Sequence, residues 1–222
     1  MSKSNKYGYS GVDIPTQAVK ANVGKFDPSE INELVQEDKW TTFGQLELIQ
    51  TEVATGNVTA IEFTNLKENE YNVHLFTFSN MQSGTSGAGA QLSFNVFTSQ
   101  YDYDTNSHYT SALQRCNSNG TFSQFRQANS AYSYLQGHPF SSNANQAMNG
   151  YWYFYNFGDS TKYTYATGQT TSAHNNSQAV SEFGSIMYTK TRPVTKMKFK
   201  LGGGTTQFTD GSIISLYGIK EY

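Results

Sequence analysis

From Gln45 onward, apolar residues recur at every second position in one short run after another, and no helical run separates them. A period of two places alternate side chains on opposite faces of an extended strand. The pattern predicts strands near 46–54 (LELIQTEVA), 58–65 (VTAIEFTN), 71–80 (YNVHLFTFSN) and 91–99 (QLSFNVFTS). Others are predicted near 107–115, 121–126, 131–136, 151–157 (YWYFYNF), 162–168, 182–189 (EFGSIMYT), 194–201 (VTKMKFKL) and 212–220. Gly, Asn and Ser clusters such as QSGTSGAGA and SSNANQAMNG lie between them, which is turn and loop chemistry. So many short strands with no helix between them mean an all-β sandwich or closed barrel, and we read an antiparallel β-sandwich. No repeat of roughly 20–50 residues is visible, which argues against a propeller or β-helix.

Charge divides the chain. Of 32 charged residues, 17 precede Tyr71, whereas the 119 residues from Tyr71 to Thr189 carry seven. The shift separates an N-terminal anchoring arm, residues 1–40, from a sandwich domain, residues 41–222. Up to about residue 26 the arm has scattered apolar points and no periodicity, so it is expected to be disordered or to lie extended along a partner. KFDPSEINELVQEDKW then predicts one short helix over 28–38. Asp27 suits its N-cap, Pro28 its first turn, and Glu30 the reciprocal capping position. Ile31, Leu34 and Val35 make its apolar stripe, with Phe26 placed to staple onto them.

The final run, SIISLYGIK, is apolar on both faces, with Ile214 and Leu216 on one and Ile213, Tyr217 and Ile219 on the other. Such a strand is buried on both sides or covered by another subunit. We expect it to be core, near the first strand of the sandwich, and joined to VTKMKFKL through a hairpin containing the GGG at 202–204.

Composition excludes several functions. A net charge of −2 argues against a nucleic-acid surface, which needs a clustered basic footprint. The single cysteine, Cys116, leaves no disulfide scaffold or cysteine zinc site. No run approaches a membrane span, and MSKSNKYGYSG has no apolar stretch of a secretory signal. We therefore expect no membrane association, and synthesis in a cytoplasm. For catalysis, Asp102 and Asp104 are the close pair among the six carboxylates after Tyr71, and YDYDTNSH reads as a solvated turn. Asp102, Asp104 and Asn106 open like a calcium loop, but Ser107 and Leu113 stand where such a loop needs Gly and Glu. The four histidines form no metal-binding spacing, and His74 reads as a hydrogen-bonded core residue. The reading is a protein without catalytic residues, metal or cofactor.

The stretches YDYDTNSHYT, NSAYSYLQGHPF, NGYWYFYNFG and TGQTTSAHNNS combine Tyr and Trp with Ser, Asn and Gly and carry almost no charge. That mixture suits contact with neutral sugar or with protein. Tyr101, Tyr132, Tyr134, Tyr151 and Trp152 are the candidate glycan-stacking residues. The plainer alternative is that these aromatics fill a core and a subunit interface.

The segment KYGYSG…IPTQA…KFDPSEINELVQEDKW resembles the N-termini of structural proteins from tailed phages of marine cyanobacteria and other marine bacteria. FTDGSIISLYGIKEY resembles the strand that ends many phage virion β-sandwiches, in Phe208, Gly211, Ile213, Leu216, Tyr217, Gly218 and Ile219. The resemblance implies a virion protein, a tail, neck or capsid appendage or decoration whose sandwich is jelly-roll-like. Residues 1–40 would dock it to other virion proteins, with Tyr7, Tyr9, Ile14, Phe26, Ile31, Leu34 and Trp40 as apolar anchors. The expected body is a homo-oligomer of sandwiches, and the alternative role is an adhesin for host surface carbohydrate.

Overall fold

The computed structural model describes residues 28–36, 46–84, 90–139, 142–143, 145–173, 178–202 and 206–220. The chain divides into two units between Gly44 and Gln45. In the first, helix α1 spans Pro28–Gln36, with Ile31 and Leu34 half-buried on it, and the last two positions of the expected helix, 37 and 38, lie outside the described residues. The anchors Tyr7, Tyr9, Ile14, Phe26 and Trp40, and the N-cap Asp27, lie outside the described residues.

The second unit is an antiparallel sandwich of two unequal sheets. Its strands are β1 (Leu46–Val53), β2 (Ala60–Phe63), β3 (Val73–Met81), β4 (Leu92–Thr98), β5 (Tyr109–Asn117) and β6 (Phe122–Ser130). They continue with β7 (Ser133–Tyr134), β8 (Met148–Tyr155), β9 (Thr164–Ala173), β10 (Ala179–Tyr188), β11 (Val194–Leu201) and β12 (Ile213–Ile219). The large sheet runs β1-β12-β3-β8-β9-β10-β5-β6 and the small sheet β2-β11-β4-β7. All twelve strands fall within the predicted runs or overlap them.

The sheets meet through aromatic rings. Phe76 on β3 sits edge-on to Phe63 (5.2 Å) and Phe199 (5.1 Å) of the small sheet, and to Phe154 (5.4 Å) beside it. Phe154 in turn meets Phe94 of β4 at 5.4 Å. All five are essentially without solvent exposure. Edge-to-face pairs add about 0.5–1.5 kcal/mol each beyond the area they bury. The alternation seen in sequence is thereby explained, as on β8, where Trp152 and Phe154 turn inward and Tyr151, Tyr153 and Tyr155 outward.

Two expectations about the C-terminal strand need correction. β12 does not pair with Val194–Leu201; it lies between β1 and β3 in the large sheet, while β11 lies between β2 and β4 in the small one. The segment through Gly202 therefore crosses between sheets and is not a hairpin, and residues 203–205 lie outside the described set. The physical reason is in the outward residues. Those of β11 are Lys196, Lys198 and Lys200, and Lys198 meets Glu62 of β2 at 2.7 Å. Those of β12 are Ile213, Ser215, Tyr217 and Ile219, which continue the uncharged outer face of β3. The adjacency of first and last strand was read correctly. Gly218 is required there, because a Cβ would stand 2.4 Å from the Tyr71 ring packed on it.

His74 is a core residue as expected: it is fully buried, its Nε2 lies 2.7 Å from the Leu66 carbonyl, and its ring packs on Phe157. Burial drives its pKa from 6.5 down to about 4, the Leu66 hydrogen bond only partly opposing the shift. The folded state thus holds a neutral imidazole that the unfolded chain protonates below pH 6.5. Its contribution to stability is complete above that pH and is lost as pH falls toward 4, by about 3 kcal/mol at pH 4. Urea unfolding at pH 7 and pH 4 should show this loss in the wild type and a slope shallower by about that amount in His74→Gln. Equal slopes would mean that other groups carry the acid sensitivity. A chain ending at Asp210 lacks β12, second strand of the large sheet, and is expected to lose cooperative unfolding by circular dichroism.

Candidate functional site

The two outer faces of the sandwich differ in kind. On the small sheet, lysines stand over aromatic rings: Lys196 Nζ lies 4.4 Å from the Phe97 centroid and Lys198 Nζ 3.8 Å from that of Tyr103. The outer face of the large sheet carries no Asp, Glu, Lys or Arg from β12 to β5. The outward side of a sheet is normally where such residues are placed.

Register arranges that face in rows at right angles to the strands. One row is Tyr151, Gln169, Phe183, Gln114 and Gln124, across β8, β9, β10, β5 and β6. The next is Tyr153, Thr167, Ser185, Ala112 and Arg126, and a third runs Tyr155, Tyr165, Met187 and Thr110. Thr167, Ser185 and Ala112 are small and exposed, so the middle row sinks between its neighbours. Tyr151 (42% exposed), Tyr165 (46%) and Phe183 (47%) rise on either side. A groove of about 660 Å³ lies over β8–β10 against Tyr151, Tyr153, Tyr155 and Phe183. A second, of about 300 Å³, lies over β5 and β6 between Ala112, Gln114, Gln124 and Arg126. Both follow the same two rows.

Beneath the rows, Trp152 fills the inner side. A Cβ on its partner Gly168 would meet the indole at 2.7 Å and the Tyr151 carbonyl oxygen at 2.3 Å. Glycine at 168 therefore lets the indole seat under the exposed tyrosines. Trp152 has no solvent exposure. It cannot stack on a ligand, and its place among the glycan candidates is corrected: alternation turns it inward while Tyr151, Tyr153 and Tyr155 turn out.

The remaining candidates do not converge. Tyr101 lies half-buried in the loop after β4, with the Arg192 guanidinium 5.4 Å from its ring and His108 at 5.7 Å. Tyr132 and Tyr134 meet at 5.2 Å and share a hydroxyl contact of 3.1 Å, with Tyr134 packed on Phe125. Only Tyr151 stands in the exposed rows. Tyr153, Tyr155, Tyr165 and Phe183 were missed. The strict Tyr-outward, Trp/Phe-inward alternation of YWYFY points to Tyr153 and Tyr155; Tyr165 and Phe183, on β9 and β10, join them only through strand register.

The Asp102/Asp104 turn is also corrected. Asp102 is exposed, but Asp104 is fully buried. Its carboxylate accepts from the Tyr188 hydroxyl (2.6 Å) and from the Asn106 backbone N–H and side-chain amide (both 2.8 Å). It also faces His108 Nδ1 at 2.6 Å. Burial alone would raise this carboxyl, and those hydrogen bonds outweigh it and hold the group below its ordinary value. The same burial, with the Asp104 carboxylate beside it, pushes the Tyr188 hydroxyl up. With its acceptor positions taken by the protein, Asp104 is an internal clamp that fixes the β4–β5 loop to β10. Glu182 is a second clamp, buried and bonded to Arg115 Nε (2.6 Å) across β5–β10 and to the Gly137 N–H (2.6 Å). A cleft of about 650 Å³ at the sandwich edge is lined mainly by the connection from Glu52 to Glu62. Cys116 is half-buried and unpaired.

No protein-family model matches the chain, and no curated protein matches it.

The two sides of β8–β10 should separate in stability. Trp152→Ala empties a fully buried site and is expected to cost about 3–5 kcal/mol. Phe183→Ala on the outer rows should cost less than about 1 kcal/mol. Thermal unfolding of the two variants checks this, and a comparable loss in both would place Phe183 in the core.

Proposed function

We propose that this protein is a non-enzymatic structural component of a bacteriophage particle, an appendage or decoration of tail, neck or capsid. Residues 1–40 dock it to neighbouring virion proteins, and the sandwich is its exposed body. The observation that carries the reading is the uncharged, aromatic outer face of the large sheet. The chain's distinctive chemistry lies on a broad contact surface, while the buried carboxylates of Asp104 and Glu182 are engaged by internal donors. The resemblance of the two ends to phage virion proteins supports the same reading, as does the division of the chain into two units at Gly44/Gln45, the second a β-sandwich. Such a protein is made in the host cytoplasm and acts by position, with no catalytic step.

The body assembles as a homo-oligomer in this reading. Leu46 (51% exposed), Leu48 (57%) and Val53 (48%) form an apolar strip on the edge strand β1 beside half-buried Ile213 and Ile219 of β12. Monomers seldom leave such strips on a free strand edge uncovered. A second role, adhesion to host surface glycan, is favoured by the tyrosine-lined groove over β8–β10.

Deleting residues 2–40 is expected to leave a cooperatively unfolding β domain that no longer enters particles assembled in its presence. Mass spectrometry of purified particles measures incorporation, and circular dichroism measures the fold. Undiminished incorporation of the shortened chain would remove the docking role from the arm.

A further inference from the structure

We propose that the outer face of the large sheet holds a binding trough for an extended, uncharged oligosaccharide, lying across β8, β9, β10, β5 and β6 at right angles to the strands. The inference deepens the adhesion role and rests on reading the sandwich as a non-enzymatic contact module.

The shape comes first. Five strands spaced about 4.8 Å apart span roughly 19 Å from the first to the last. Over that width the two grooves, of about 660 and 300 Å³, follow one pair of register rows. The depression is therefore long and narrow, open at the β6 edge, and bordered at the other end by Tyr153. A chain polymer fits such a shape. The flat face of a second sandwich would bridge the raised rows and leave the polar floor of Thr167 and Ser185 unfilled.

The chemistry of the lining then selects the polymer. A sugar ring offers a flat C–H face and a rim of hydroxyls. The first needs exposed aromatic surface, supplied here by Tyr151 and Phe183. The second needs hydrogen-bonding groups already oriented. Gln169 donates its amide to Ser181 Oγ at 2.9 Å, and Gln114 donates its amide to the Ser123 carbonyl at 3.0 Å. Both amides are thus anchored through nitrogen, which leaves their oxygens to accept. Thr167 donates its hydroxyl to the Gly184 carbonyl at 3.0 Å and likewise keeps lone pairs for a ligand. The floor and wall present a line of fixed acceptors, and a saccharide supplies the matching O–H donors. Fixing them beforehand lowers the ordering cost of binding.

Charge excludes other occupants. Lys, Arg, Asp and Glu are missing from the lining until Arg126, on the edge strand at the open end. A polyanion would find one cation, Arg126, along the lining of this face, and burying its other charges uncompensated is costly. Neutral sugar needs no counter-charge.

The test uses the full chain on an array of short neutral gluco-, galacto-, manno- and xylo-oligosaccharides, with a sialylated glycan as the charged comparison. The expected result is binding to at least one neutral probe. Phe183→Ala should weaken it roughly tenfold through loss of the stacking surface. Ser185→Trp, which fills the floor, should abolish it, and both variants should keep the wild-type melting temperature and light-scattering mass. No binding to any neutral probe, or binding that survives Ser185→Trp, overturns the proposal. So does an oligomer that falls apart in Ser185→Trp, because the face then belongs to a second copy. Wild-type binding by a chain that never enters particles supports the trough while removing the virion reading.

Discussion

The edge-to-face cluster of Phe76, Phe63, Phe199, Phe154 and Phe94 is the contact on which the rest of the sandwich depends. It is the place where an eight-stranded and a four-stranded sheet are held at one spacing. A small sheet has little apolar area to offer, so each of its inward positions has to bury a large side chain; Phe63, Phe94, Val96, Met197 and Phe199 do so with almost no exposure. Because these rings pack by shape, they fix the twist of β3 and β8, and with it the angle at which the outer tyrosines stand. Rigidity of the outer face is thus inherited from the inner one. Gly168 shows the coupling at a single position: the space it leaves admits the Trp152 indole below Tyr151 and Tyr153.

Charge is sorted between the two outer faces, and the sorting follows from where ions are tolerated. Lys198 pairs with Glu62 and lies over Tyr103 in one cluster on the small sheet, where water still reaches the groups. On the large sheet the outer face from β12 to β5 carries no ionic side chain, and Glu47 meets Lys220 (3.0 Å) and Lys67 (3.4 Å) at the β1 end. The ground between is left to aromatic and amide contacts, which depend little on ionic strength because they carry no net charge to be screened. A surface of that kind keeps its affinity in salt water, where charge-based recognition weakens.

Much of the fold was legible because strand existence is a local property. Period-two runs between Gly and Asn clusters marked each of β1 to β12, and the two apolar faces of SIISLYGIK marked it as a core strand. Pairing is not local. VTKMKFKL and SIISLYGIK look like partners by proximity, yet their outward residues, lysine in one and Ile and Tyr in the other, belong to different solvent environments. That difference was present in the sequence and outweighs chain proximity. Asp104 was illegible for another reason: a carboxylate in a Tyr/Asn turn gives no sign that Tyr188, distant in sequence, will come to within 2.6 Å of it. At the candidate site, aromatic content was visible, whereas its division into buried Trp152 and exposed Tyr151, Tyr165 and Phe183 depended on which face the second sheet covers.

The proposed roles of the two units reinforce each other through copy number. A shallow, open trough of neutral contacts holds each ligand weakly, since none of the described residues closes over it and no charge pair adds to the binding. Weak sites become effective when several act on one surface, because each further contact is then made at high local concentration. A body repeated on a particle by its N-terminal segment, with an apolar strip on β1 to join neighbouring copies, supplies that repetition. Affinity is then set by geometry of presentation more than by any single groove, and release from one site does not release the particle. On this view the modest depth of the trough is compatible with firm attachment, and the docking segment contributes to binding without touching the ligand.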